Sequence, residues 1–375
     1  MKHSRTVIKI LRWTFLSVAA CLIAGAILLY FLMVVRFKDS IRYAVARETK
    51  GRYVFHAGRA ELSLWSKTIY LNASTVHCTD TAGASTSYEV RIPEMYFSIA
   101  TWKDLLLNRK VVIDSMSVMS PSFLVRVPHL KTSGHHKGFQ PGDILNILNK
   151  TLSHFNAHSF TLQDATFIYN KTDAVPLIVR HINLSVINFT KVNNEDAHLL
   201  GSDKVTFSLG RQHWKLAGGK QEISFRGLAF TSEGQQFQVD SFAWRQQGAD
   251  SSGPVNIYAD QFRFNARHLP AIYQKDMLLI DTLTCINPVL TIPGHRGHHH
   301  KDTAAIKAAS PLFKKIQIGY INVLNAELQL TGPTVTQQLA VTHHTNLHIY
   351  NLQIDSARGA PVHTDSIRLG LDKLQ

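Results

Sequence analysis

Residues 111–125 read VVIDSMSVMSPSFLV, and residues 278–292 read LLIDTLTCINPVLTI. Both stretches place apolar residues at alternate positions, break at Ser-Pro or Asn-Pro, and resume the alternation, which describes strand, turn, strand. Working outward, Phe97, Trp102, Leu105, Ile113, Asp114, Pro121 and Val125 recur as Phe264, Leu269, Ile272, Ile280, Asp281, Pro288 and Ile292, at an offset of 167 (264 − 97). Phe160, Leu162, Ala165, Phe167 and Tyr169 recur as Ile321, Val323, Ala326, Leu328 and Leu330, at an offset of 161. RHINLSVINF from Arg180 returns as HHTNLHIYNL from His343, and Phe207 and Leu209 return as Leu369 and Leu371. Self-similarity at a fixed spacing is the mark of a duplicated structural unit. The copies cover about 60–210 and about 227–371.

Period-two alternation dominates everything after Gly51, so the expected fold is mainly β: a largely antiparallel sheet with a few short helices. Helical patterning is confined to 101–108, 142–154, 267–275 and 302–314. Tandem units that stack along an axis favour an elongated body. Roughly 20 strands at about 4.8 Å spacing would build a sheet on the order of 95 Å long. The same alternation also suits a closed sandwich, in which two apolar faces consume each other. In a curled sheet the apolar face stays open as a groove.

Ahead of the β region, Trp13 to Val35 carries no formal charge and has Trp13 and Tyr30 near its ends. That length suits a membrane-spanning helix. It exceeds the apolar region of a cleaved signal peptide. Val18-Ala19-Ala20-Cys21 is similar to a lipobox, but the apolar run continues well past Cys21. The organisation read from these signals is a short head at 1–12, a span at 13–35, a stalk helix at 36–51 stopped by Gly51, and β-units at 52–212 and 213–375. The basic residues flanking the span do not settle its orientation, because long domains translocate largely regardless of charge.

The chain has 375 residues, 40 Lys plus Arg against 26 Asp plus Glu, and a formal net charge of +14. The basic residues are scattered and never form a block interleaved with aromatics, so nucleic acid is not an expected partner. A diffuse positive surface suits anionic lipid headgroups; a plain solvated surface is the alternative. The His-rich loops at His135-His136 and His295 to His300 lack nearby carboxylates or cysteines in a ligating arrangement and read as solvated loops. Asp114 and Asp281, a whole repeat apart, read as turn markers rather than an acid–base pair. No GxxxxGK[ST], HExxH or GxSxG occurs. Of the three cysteines, Cys78 and Cys285 could make at most one bridge, and Cys285 reads as a small core residue.

The basic head, the single span, FHAGRAELSLWSKTIYLNASTVHC (55–78) and RIPEMYFSIATWKDLLLNRKVVIDSMSVMSPSFLVRV (91–127) together resemble the start of AsmA-like proteins of bacterial envelopes. The logic of an anchor followed by a sheet is similar to that of TamB and chorein-type bridge proteins. The resemblance covers about residues 10–130 and continues beyond them as strand pattern. It implies a protein of the inner membrane with its N-terminus in the cytoplasm and its bulk in the periplasm. It also implies a phospholipid-carrying β-groove in support of outer-membrane biogenesis, without catalytic residues or cofactors. The groove residues expected from the alternation are Leu62, Leu64, Phe123, Val125, Phe160, Leu162, Leu184 and Val186, continued by Leu290, Ile292, Ile321, Val323, Leu347 and Ile349. A structural module that binds a protein through its sheet edges is the competing expectation, and the C-terminal edge Ser366 to Leu371 is expected to be either extended by more chain or docked against a partner's strand.

Overall fold

A computed structural model describes residues 2–48, 51, 53–63, 65–78, 87–101, 103, 113–127, 158–171, 175–189, 202–216, 219–247, 254–266, 277–293, 315–332, 338–355, 362–370 and 373–374. The helical patterns at 142–154, 267–275 and 302–314, and both His-rich loops, lie outside these residues, as does most of 101–108.

One helix, α1 (Lys2–Glu48), precedes a single 21-stranded sheet. Its strands are β1 (Tyr53–His56), β2 (Arg59–Ser63), β3 (Thr68–Cys78), β4 (Ser87–Ile99), β5 (Ile113–Met119), β6 (Ser122–Val127), β7 (Ser159–Lys171), β8 (Leu177–Phe189), β9 (Ser202–Leu209) and β10 (Gln212–Leu216). They continue as β11 (Gln221–Phe225), β12 (Gly227–Thr231), β13 (Gln236–Gln246), β14 (Val255–Ala266), β15 (Met277–Ile286), β16 (Val289–Pro293), β17 (Lys315–Thr331), β18 (Gln338–Asp355), β19 (Val362–His363), β20 (Ser366–Gly370) and β21 (Lys373–Leu374). No second sheet packs on this one among the described residues, so the chain forms a curled sheet and not a sandwich.

Pairing is antiparallel except where β7 runs parallel to β5 and β6, and where β17 runs parallel to β15 and β16. A parallel step between strands needs a crossover connection. Short strands share one position in the sheet: β1 and β2 both pair with β3, and β5 and β6 both pair with β4. The sheet is therefore fourteen strands wide rather than about twenty. Its contour is about 62 Å at ~4.8 Å per step, shorter than strand counting suggested.

The backbone carries the duplication too. Every described non-glycine residue with positive φ has a counterpart one repeat away: Lys67 with Gln235, Ala73 with Ser241, Ser120 with Asn287, Asp164 with Asn325, His181 with His344, and Asn188 with Asn351. These residues fall along two lines that run across the strands. A left-handed residue inside a strand makes a bulge, bends the strand and resets its alternation. The slips between Leu162, Ala165 and Phe167, and between Val323, Ala326 and Leu328, are the register signature. Bends of this kind in β3, β7, β8, β13, β17 and β18 crease the sheet lengthwise, with the apolar side chains of both arms on the inside. Val76 and Val90 accordingly pack on the same core as Leu71 and Met95, although Val76 and Leu71 differ by five positions.

The stalk expected at 36–51 does not stand free. Helix α1 is unbroken over 47 residues, about 70 Å at 1.5 Å per residue. Met33, Phe37 and Ile41, spaced four apart on one helix face, are buried. The Phe37 ring meets Phe97 edge-on at 5.1 Å, and Lys38 Nζ donates to the Gly58 carbonyl at 2.7 Å. A Cβ at Gly58 would stand 2.2 Å from the Asn72 carbonyl oxygen, so only glycine allows this approach. Gly51 ends the helix as expected: its φ is +77, and its N–H donates to the Ala46 carbonyl at 2.7 Å. Asp114 and Asp281 lie inside β5 and β15 and do not mark turns.

Candidate functional site: an uncharged inner face

Residues directly opposite one another in a ladder point to the same face of a sheet. Following such partners from the first strand position gives Ala60, Leu71, Met95, Val118, Leu162, Leu184, Phe207, Phe230, Phe237, Phe264, Leu283, Ile321, Ile349 and Ile367. This row crosses all fourteen positions without a polar side chain. A second row runs beside it through Ala165, Ile182, Leu209, Leu228, Val239, Phe262, Cys285, Val323, Leu347 and Leu369. At the junction of the two units Phe230, Phe237 and Phe264 stack at 4.3 and 4.6 Å.

Of the residues expected to line a groove, Leu162, Leu184, Ile321 and Ile349 are in the first row, and Val323 and Leu347 are in the second. Leu62, Phe160 and Val186 belong to a third row that runs Leu62, Ile69, Phe97, Met116, Phe160, Val186, Val205. Phe123 and Val125 pair with Val90 and Tyr88 on one side and with Phe167 and Tyr169 on the other. Val90 packs on the main core, which places them on the inner face. Leu290 and Ile292 pair with Leu328 and Leu330 in the second unit. Leu64 lies outside the described residues.

Ion pairs sit on the other face: Arg91 and Arg126 with Glu89 at 2.7 and 3.3 Å, and Lys204 with Glu233 at 3.0 Å. The Arg91 hydrogen bond is the largest of the effects that hold the Glu89 carboxyl below its ordinary range. Cys285 is a free thiol in the second row, and burial pushes its pKa up to about 12. No group of His, Cys, Asp and Glu suited to holding a metal occurs among the described residues.

Sequence reasoning missed the polar line along the outer side of the crease. Asp164 N–H donates to Asn183 Oδ1 at 2.9 Å, and His181 Nδ1 donates to Asp164 Oδ1 at 2.7 Å. One repeat later, Asn325 N–H donates to Asn346 Oδ1 at 3.0 Å, and His344 Nδ1 meets Asn325 Oδ1. The signal was present in the duplicated His-x-Asn of RHINL and HHTNL and in the slipped alternation after Leu162. These contacts sit at the left-handed residues of the bulges.

No family model matches the chain, and no curated protein matches it. Among solved structures, the sex pheromone staph-cAM373 precursor is similar at 8% identity and a TM-score of 0.16, with 91% of each chain covered. A sex pheromone precursor from Lactobacillus salivarius subsp. salivarius UCC118 is similar at 6% identity and a TM-score of 0.17, covering 91% of this chain and 88% of that one. Similarity this slight carries no argument about fold or function.

Proposed function

We propose that the chain is a membrane-anchored, AsmA-like envelope protein that binds phospholipid, or conducts it, along the inner face of its sheet. The observation that carries this reading is the uncharged row from Ala60 to Ile367, which crosses every strand position. Moving a 16-carbon acyl chain through water costs roughly 13 kcal/mol at about 0.8 kcal/mol per CH2. A continuous apolar face removes most of that barrier. The anchor supports the same reading, since α1 is apolar enough to cross a membrane and Met33, within the apolar run, is already buried against the protein. The face therefore begins within about a helical turn of the apolar run's end. In this reading the N-terminus is cytoplasmic, the sheet lies in the periplasm, and no cofactor or catalytic residue is required.

Native mass spectrometry of detergent-extracted protein is the test, with co-purified phospholipid expected. Glu at Val125 and Ile292, one position in each unit, places a charge on the apolar path. Lipid occupancy is expected to fall with circular dichroism unchanged, and occupancy equal to wild type would refute the reading. Reporter fusions after Gly51 are expected to report an extracytoplasmic location; a cytoplasmic signal would remove the envelope assignment.

A further inference from the structure

The duplication sets one apolar design side by side with a helix packed on it and without one. In the first unit Ile69 pairs with Phe97 across β3 and β4, and in the second Phe237 pairs with Phe264 across β13 and β14. The offsets are 168 (237 − 69) and 167 (264 − 97), so the two pairs are counterparts. Ile69 is 0% and Phe97 1% exposed, whereas Phe237 and Phe264 are only partly buried. Leu71 is fully buried as well, and its counterpart Val239 is only partly buried.

The second half of α1 makes the difference. Met33, Phe37, Ile41 and Val45 recur every four residues and so share a helix face, while Arg42 and Arg47 are exposed. Phe37 is fully buried with its ring against Phe97, and Phe37, Ile41 and Val45 belong to one core with Ile69, Leu71 and Phe97. Phe264 belongs to a separate core built on Ile280, Ile318 and Ile321, and among the described residues that core draws nothing from α1. An acyl chain at the first edge would have to take the place of the Phe37 ring, because Ile69, Leu71 and Phe97 leave it no open surface. In the second unit it would remove apolar surface from water without displacing any described residue.

We propose that the second half of α1 is a built-in occupant of the inner face, which seals the first three strand positions against acyl chains and leaves the seat for them in the second unit, over Phe237, Phe264, Leu283 and Ile349. Acyl chains therefore do not run onto the sheet along the helix at its first edge; they meet the inner face beyond Phe97. The inference rests on the lipid reading above and narrows where on the face lipid binds.

The test uses the full chain in vesicles of phosphatidylcholine that carries a diazirine in one acyl chain, with adducts mapped by mass spectrometry after illumination. Adducts are expected at Phe264, Leu283 or Ile349 and none at Ile69, Leu71 or Phe97. With Phe37→Ala, which opens the cover, labelling of Phe97 is expected to rise from none to a yield like that at Phe264. Phe37→Leu, which keeps an apolar side chain over Phe97, is expected to retain the wild-type map, and near-UV circular dichroism checks that both variants fold. Wild-type adducts at Ile69, Leu71 or Phe97 would overturn this inference and leave the lipid reading standing. A folded Phe37→Ala chain with Phe97 still unlabelled would overturn the role given to α1, and adducts in neither unit would overturn the lipid reading and this inference together.

Discussion

Asn325 holds a left-handed backbone in the middle of a 17-residue strand, and its N–H is satisfied by Asn346. Asn325→Gly is expected to be nearly neutral. Asn325→Val, which keeps the strand propensity but loses the tolerance for positive φ, is expected to cost about 1–2 kcal/mol, read as a lowered Tm. Across the crease, the Asn287 amide is the first cause, and the Tyr258 hydroxyl the second, holding the Asp260 carboxyl below its ordinary range. Because the folded value is depressed, this contribution is fully present above the ordinary value of about 3.9 and is lost as pH falls through the lower folded value. Asn287→Ala is expected to weaken the acid dependence of exchange in β14 below about pH 4; an unchanged profile would count against it. Cys285 is expected to resist iodoacetamide at pH 8 and to react after unfolding, as a buried thiol should. Rapid labelling of the folded chain would contradict its burial. The apolar identities at this scale were readable from alternation. The left-handed polar positions are marked only by the duplicated His-x-Asn and a break in the alternation, because period two describes a strand only until a bulge resets its phase.

The strands from β3 onward follow the apolar alternation closely, since a residue facing the core costs free energy wherever its register slips. Sequence could not reveal that short strands share a position, because β5 and β6 read as two strands whether they stack side by side or end to end. Helix α1 is legible as an apolar run long enough to span a membrane and its second half as a stalk helix, but the packing of that half on the sheet is not. The spacing of Met33, Phe37 and Ile41 is that of a packed helix face, hidden within a segment apolar enough to suit lipid. Phe37→Ala removes a fully buried ring and is expected to loosen the helix from the sheet at a cost of about 3–5 kcal/mol. Exchange at β1 and β2 should then rise while β17 and β18 keep their protection. Equal loss across both units would show that the helix supports the whole sheet and not only its first edge.

Across the molecule, the inner rows are stepped. Row partners Leu162, Leu184 and Phe207 lead on to Phe230, the repeat counterpart of Leu62, which in the first unit heads the neighbouring row through Phe160 and Val186. Each unit thus advances the face by one inward residue. Duplication of an apolar scaffold was visible in the sequence because apolar residues carried it. The step between copies depends on loop lengths and bulges, which leave only differences among the offsets. The central claim is that the uncharged inner face contacts lipid acyl chains while the outer face does not. Photo-cross-linking separates the two: benzoylphenylalanine placed at Leu283 or Val323 on the inner face, or at Asn322 on the outer, is illuminated in membranes containing radiolabelled phospholipid. Labelled adducts at Leu283 and Val323 with none at Asn322 are the expected result, whereas adducts absent from both inner positions, or equal on the two faces, would contradict the account.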